Sequence, residues 1–443
     1  MRIQLSDHFT YKRLLRYCLS PVIMMVFTSI YGVVDGLFIS NYVGKSAFAA
    51  VNIVMPFIMI LGAVGFMIGT GGSALVAKTL GEGRTEKANE YFSMMIEFTI
   101  ICGIIMTILG IIFLRPVSYL LGATDAMIDD CVSYGRIALL SNTCFMLQSA
   151  FHTFFTTAEK PKLGLATTVA AGVTNMVFDA LFVAGFGWGV VGAALATAMS
   201  EMLGGLAPLV YFLRPNSSLL RLRRVKLQAK ILVKACSNGA SELMSNISSS
   251  LVSMLYNFQL MRYAGENGVA AYGVLMYIQF IFIAVFIGYT IGVSPVVSYN
   301  YGSGNDQELK SLFRKSMLLV SIGGILMMLL AQGLASPLSK LFVGYDAELM
   351  EMTIHAFQLF SFSFILAGIN IFASAFFTAF GNGAISAAIS FLRTLVFQML
   401  SVLILPRFFG LDGIWWAITV AEVCACVVSG SFLFAKRKQY HYA

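Results

Sequence analysis

The chain is written twice. Gly44, Gly71, Gly81, Gly83, Pro116, Asp125, Gly189, Gly192 and Glu201 are answered by Gly265, Gly292, Gly302, Gly304, Pro337, Asp346, Gly410, Gly413 and Glu422, each pair 221 residues apart (265 − 44 = 221). No gap interrupts the register. Chance similarity would not hold one offset over nearly the whole length, so the chain holds two copies of one unit with connecting loops of equal length. Any fold for it must be two similar halves.

The halves belong in lipid. Hydrophobic residues make up 58% of the chain and charged residues 11%, against about 25% charged in a soluble domain. A helix needs ~20 apolar residues to cross the hydrocarbon, and each copy offers six such stretches. The first copy has them at 14–40, 47–77, 92–114, 132–157, 163–185 and 190–213; the second at 232–262, 268–300, 315–335, 351–380, 384–405 and 411–435. The expected fold is an all-α membrane protein of twelve transmembrane helices in two pseudo-symmetric six-helix bundles. Its N-terminal lobe covers 1–213, a basic linker 214–231, and the C-terminal lobe 232–443. Because six is even, both copies have the same orientation and are related by an axis along the membrane normal.

Charge supplies the direction. Arg2, Lys12, Arg13 and Arg16 precede the first span, Arg214, Arg221, Arg223, Arg224, Lys226, Lys230 and Lys234 fill the central linker, and Lys436, Arg437 and Lys438 close the chain. These groups and the loops on their side hold most of the 29 basic residues. By the positive-inside rule that side is cytoplasmic, which predicts a multi-pass protein of the plasma (inner) membrane with both termini inside. The net charge of +8 then reports topology and attraction to anionic membrane lipids rather than nucleic-acid binding. The basic N-terminus lacks a short apolar core followed by a small-residue cleavage site, so no removable signal is expected.

Several motifs are set aside. Cys18, Cys102, Cys131, Cys144, Cys236, Cys424 and Cys426 are scattered through apolar spans and read as small core residues rather than metal or disulfide positions. His152 and His355 lack Cys or His neighbours at ligand spacing, so no metal centre is expected. Gly81-Glu82-Gly83 and Gly302-Ser303-Gly304 lack the Lys-Ser or Lys-Thr of a phosphate loop and read as turns. No soluble segment has room for an ATPase domain. Membrane-embedded enzyme chemistry would need clustered acids with a metal or a His and Arg set. The chain therefore reads as a transporter driven by an ion gradient, not an enzyme, and needs no cofactor beyond H⁺ or Na⁺ as coupling ion.

Asp35, Asp179, Glu201, Glu242, Arg393 and Glu422 all sit well inside predicted spans. Each costs ~2.5–3.5 kcal/mol on insertion scales, so each needs a reason. Asp35 and Asp179 break the duplication, since Tyr256 and Leu400 stand opposite them and Val396 answers Asn175. Asn175 and Asp179 share a helix face at i, i+4, and both aspartates sit in the outer halves of their spans. Two carboxyls converging in a poorly solvated pocket cannot both stay ionised and uncompensated, so the pocket should bind a proton or Na⁺. Glu201 and Glu422, kept in both copies, suit a shared structural role. Arg393 cannot shed its charge, and depth allows a structural ion pair with Glu242 or with Glu422.

Twelve spans in two copies, Pro21 and Asp35 of span one, the Gly81-x-Gly83 turn, Ala-Phe-Gly-Asn-Gly at 379–383 and Asn175-x-x-x-Asp179 of span five together resemble the multidrug and toxic compound extrusion (MATE) family. The resemblance covers essentially the whole chain. It is strongest toward the branch of the DNA-damage-inducible F proteins and related multidrug exporters, whose aspartates of spans one and five and asparagine of span five form a cation site in the N-terminal lobe. That implies the role for Asp35, Asp179 and Asn175, with Na⁺ or H⁺ as the ion. Thr197 on span six resembles a threonine lining the same site, and Asn52 on span two is a polar neighbour. The span-ten aspartate of NorM-type members is missing, for 357–380 contains no acid.

The resemblance implies two lobes around a cleft that opens alternately to each side, with export of cationic or amphiphilic small molecules against entry of H⁺ or Na⁺. The 24 Met and 37 Phe permit an adaptable, cation-attracting cleft. A monomer is expected. The alternative is a flippase for lipid or lipid-linked oligosaccharide, which would need a more cationic cleft than Arg393 alone supplies. Trp188, Trp415 and Trp416 read as interfacial anchors.

Overall fold

The computed structural model describes residues 3–442, so Arg2 of the basic N-terminal group lies outside the described residues. The first lobe runs α1 (Tyr11–Phe38), α2 (Lys45–Gly81), α3 (Thr85–Leu120), α4 (Ile128–Thr157), α5 (Pro161–Asp179) and α6 (Gly189–Leu213). Single turns of π-helix, Ile39–Val43 and Ala180–Gly185, extend α1 and α5. The helix Ala229–Gly302 breaks at Gly265 into α7 (229–264) and α8 (266–302). Then come α9 (Asp306–Val343), α10 (Ala347–Ala379, with a 3₁₀ turn at Ser361–Ser363), α11 (Gly383–Ile404, with a π turn at Leu392–Val396) and α12 (Pro406–Lys436, bent at Gly410).

Among the described residues ten helical stretches are long and apolar enough to cross a membrane. The 74-residue stretch at 229–302 is two spans, because Gly265 at φ 62 turns the chain. The remaining span is α4. Its 30 residues extend about 45 Å, but Ser133, Ser141, Asn142, Thr143 and Gln148 make it more polar than the other spans. A polar span can exist only where neighbouring helices cover it, and α4 is buried along much of its length between α2, α3 and α6.

The duplication is visible in the backbone. Gly44 and Gly265, Gly83 and Gly304, and Gly189 and Gly410 all have positive φ, a region open to glycine at little cost, so equivalent helices start and stop at equivalent corners. The lobes also meet symmetrically. A Cβ on Gly81 would overlap the Tyr299 carbonyl, and one on Gly302 would overlap the carbonyl of Lys78, the residue equivalent to Tyr299. Gly71 likewise packs on Gly239, while its counterpart Gly292 packs on Cys18, the counterpart of Gly239. The contacts of α2 with α7 and α8, and of α8 with α1, thus follow one twofold. Lys78 Nζ caps the ring of Tyr301 across the same seam at 4.8 Å.

Two segments outside the helices are fastened down. Leu5 and Phe9, both 0% exposed, join a core cluster of the second lobe. The Leu5 amide donates to Glu159 Oε1 at 2.8 Å and the Phe9 amide to Glu308 Oε1 at 2.9 Å, so the N-terminal strand of chain bridges both lobes on the basic face. The linker is docked rather than free. Its Arg221 and Arg223 amides donate to Asn89 and Ser93 on α3, and the Arg223 guanidinium pairs with Glu86.

One expectation needs correction. Trp415 is 1% exposed and packed in the second lobe's core, so it anchors no interface. Trp188 is 48% exposed and stacks on Phe182, and Trp416 stacks on Phe362.

Candidate functional site

Asp35 lies one turn before the π segment that ends α1, and Asp179 is the last residue of α5 before its own π segment. Such turns recur at functional sites because they rotate side chains out of the regular helical register. The two carboxyl groups stand within hydrogen-bonding reach of each other. Two carboxylates have no hydrogen to share, so the contact becomes a bond only when one carries a proton. Asp179 is fully buried, and neither of its oxygens finds a donor; Asp35 Oδ1 and Asn175 Oδ1 are also buried without one. Asn175 directs its amide nitrogen to Thr197 Oγ1 at 3.4 Å.

Four buried oxygens from three residues thus face inward with no protein hydrogen to satisfy them. Leaving them empty-handed is costly, and a proton or a hard cation is what such a donor set accepts. Tyr134 of α4 reaches the Thr197 hydroxyl and Met55 Sδ, and Tyr31 of α1 reaches Gln148 and Thr28. Asn52 does not join the group: it is exposed and makes no hydrogen bond to these residues.

Sequence reasoning missed Tyr31, Tyr134, Ser141 and Gln148. Tyr31 stood four residues before Asp35, hence on the same helix face. The others announced themselves only through the polarity of α4.

The remaining charges sort differently. In the second lobe Arg393 Nη2 is 2.7 Å from Glu422 Oε1, and its Nε is 2.9 and 3.0 Å from the two carboxylate oxygens. Asn370 Nδ2 adds a bond of 2.7 Å to Glu422 Oε2. Glu422 is 1% exposed. Glu242, half-buried on α7, is not a partner of Arg393. In the first lobe Glu201 contacts Ser141 Oγ at 2.5 Å and has no ion pair among the described residues. His152 bonds Thr168 at 3.2 Å and His355 bonds Asp412 at 2.9 Å, which accounts for both as local polar contacts.

The place of Asp35 is taken in the second lobe by Tyr256, stacked on Tyr272 at 4.9 Å, and that of Asp179 by the half-exposed Leu400. The acidic pocket therefore belongs to one lobe only. A sequence profile of the MatE family matches the chain twice, over residues 21–181 and 243–404, once in each copy of the repeat. The chain belongs to the MatE family. Among its relatives is the multidrug export protein MepA of Staphylococcus saprophyticus, 24% identical over 418 residues that make up 94% of this chain and 92% of that protein. Solved structures agree on the fold. A MATE transporter in complex with MaL6 superposes with a TM-score of 0.93 at 21% identity, covering 98% of both chains. The outward-facing conformation of a multidrug resistance MATE family transporter of the MOP superfamily does so with 0.92, at the same identity and coverage.

Proposed function

We propose that this MatE-family chain is a secondary active multidrug efflux transporter, exporting cationic or amphiphilic compounds in exchange for H⁺ or Na⁺ by alternating access. The observation that carries this reading is the pocket of Asp35, Asp179 and Asn175. It holds buried oxygens without donors, and the equivalent places of the second lobe carry Tyr256, Leu400 and Val396 in place of the two acids and the amide. The lobes at 1–213 and 232–443 move against each other about the glycine seams, with the docked linker between them. The protein works as a monomer in the plasma (inner) membrane with both termini cytoplasmic, as the basic residues of that face favour.

Occupation of the pocket by an ion removes the strain of facing carboxyls and draws α1 and α5 together, which favours one arrangement of the lobe. Its release favours the other, and the organic compound leaves on the return. Relatives named as multidrug exporters support the substrate class. The flippase alternative loses support because the Arg393 guanidinium that would meet a phosphate is already held by Glu422.

The test is efflux of ethidium from cells expressing Asp35→Asn or Asp179→Asn. Both should fall to the level of cells without the protein, while ethidium binding by the purified variants persists. Wild-type efflux in both would overturn the reading. A reporter active only in the periplasm, fused to the C-terminus, should stay silent; activity would overturn the topology.

A further inference from the structure

Glu201 and Glu422 are the acidic pair that the duplication keeps inside the spans, yet their surroundings are opposite. Glu422 is held by Arg393 and Asn370. The residue equivalent to Arg393 is Gly172, and there the space is filled by aromatic rings: a Cβ on Gly172 would sit 2.5 Å from Phe27 and 2.7 Å from Tyr31. The residue equivalent to Asn370 is Ser149, whose hydroxyl is turned to the Phe145 carbonyl at 2.9 Å. Glu201 thus lacks every donor its twin has.

What it has instead is the Ser141 hydroxyl. Ser141 Oγ lies 2.5 Å from Glu201 Oε2 and 3.0 Å from the Ala138 carbonyl. A hydroxyl owns one hydrogen and can also accept, so it cannot donate to both oxygens. Both contacts are filled when Glu201 carries the proton, donating to Ser141 while Ser141 donates to Ala138. When Glu201 is ionised, Ser141 swings its hydrogen to the carboxylate. The same side chains serve both states by rotating one hydrogen. Around Glu422 there is no such hydroxyl among the described contacts: Arg393 and Asn370 only donate.

The groups facing Glu201 are Tyr31 and Asp35 from α1, and Ser141, Cys144 and Tyr134 from α4, with Asp179 of α5 beyond Tyr134. No Lys, Arg or His is paired with it among the described residues. Glu201 shares its helix face with Thr197, four residues earlier, and Thr197 in turn accepts from Asn175, so Glu201 lies on the side of α6 that meets the unsatisfied oxygens around Asp179. We propose that Glu201 is a second proton-binding position of the first lobe, taking up and releasing a proton in each cycle in addition to the ion held by Asp35 and Asp179. This rests on the exchange function proposed above and adds to it a stoichiometry: one more proton per cycle than the aspartate pair carries.

The experiment counts protons. Ethidium is titrated into purified full-length protein without Na⁺, in buffers of differing ionisation enthalpy, across a scan from about pH 5 to about pH 9 that spans carboxyl and imidazole titration. The heat difference between buffers gives the protons released per ethidium bound. Glu201→Gln should lower the maximum release by about one proton relative to wild type, whereas Glu201→Asp should keep it. Ser141→Ala, which retains the carboxyl but removes the swinging hydroxyl, should move the pH at which that proton leaves. An unchanged count in Glu201→Gln overturns the proposal, as does an unchanged profile in Ser141→Ala should the Gln variant fail to fold. These outcomes are separate from the exchange function itself: loss of efflux in Asp35→Asn with an unaltered Glu201→Gln count sinks only the second position.

Discussion

Asp35, Asp179 and Glu201 in the first lobe, and Arg393 and Glu422 in the second, all lie inside the spans of two bundles built on one plan, but their hydrogen supply differs. The second lobe surrounds Glu422 with guanidinium and amide donors. The first surrounds three acids with hydroxyls and phenols and leaves four oxygens without a donor. Equal backbones can therefore host an ion pair on one side and, as proposed, an exchangeable site on the other. The difference comes from a handful of side chains: Arg393 against Gly172, Asn370 against Ser149, Tyr256 against Asp35, Leu400 against Asp179.

That contrast can be broken most directly at the ion pair. Removing one partner of a buried pair costs about 3–5 kcal/mol because the other charge is left alone, while replacing both with apolar groups is often nearly neutral. Arg393→Ala should lower thermal stability in detergent by about that amount, and Arg393→Met with Glu422→Leu should recover most of it. A drop in Arg393→Ala below about 1 kcal/mol, the scale of an exposed pair, would refute the buried pair. Asp35→Asn should not destabilise at all, since it relieves facing acids.

The seam between the lobes offers the symmetric control. Gly81→Ala and Gly302→Ala each force a methyl group onto a partner carbonyl, and overpacking of this kind costs about 1–3 kcal/mol. Both should loosen the closure on the basic face, read as increased labelling of single cysteines placed along that seam. Because the contacts are twofold related, the two variants should behave alike. A large effect from one and none from the other would break the symmetry inferred from the backbone.

The smallest effect expected is at Ser149, the counterpart of Asn370. Asn370→Ala removes two bonds to Glu422 and should cost about 1.5–3 kcal/mol, the range for a hydrogen bond to a charged group. Ser149→Ala, at the equivalent place, should change the melting temperature little, within about 0.5 kcal/mol as for substitutions away from a buried network. Equal losses would mean that Ser149 supports the first lobe in a way its bond to Phe145 does not suggest.

Much of the architecture could be read from the residues. The constant offset implied two copies, apolar length implied the spans, and the glycines that recur at that offset mark the corners where the backbone takes positive φ. Depth along each span put Asp35 and Asp179 at one level, and they meet. Depth was not enough for Arg393, for which Glu242 and Glu422 stood at comparable distances along their helices, nor for Asn52, which lies outside the group. Tyr134 and Ser141 were hidden in a span whose polarity could be seen but whose neighbours could not.

Sequence by itself determined how far along the membrane normal each residue stands and which residues share a helix face, because rise and turn per residue are constants of the α-helix. It determined the duplication and, through it, the positions where the halves differ. Only the tertiary structure decided how each helix is rotated and which face meets which neighbour. That choice depends on the packing of many side chains at once, as where Phe27 and Tyr31 fill the space beside Gly172, and on the π turns that reset the phase of α1, α5 and α11. Rotation brought Arg393 to Glu422 rather than Glu242, and left Glu201 facing one hydroxyl with a single hydrogen to give.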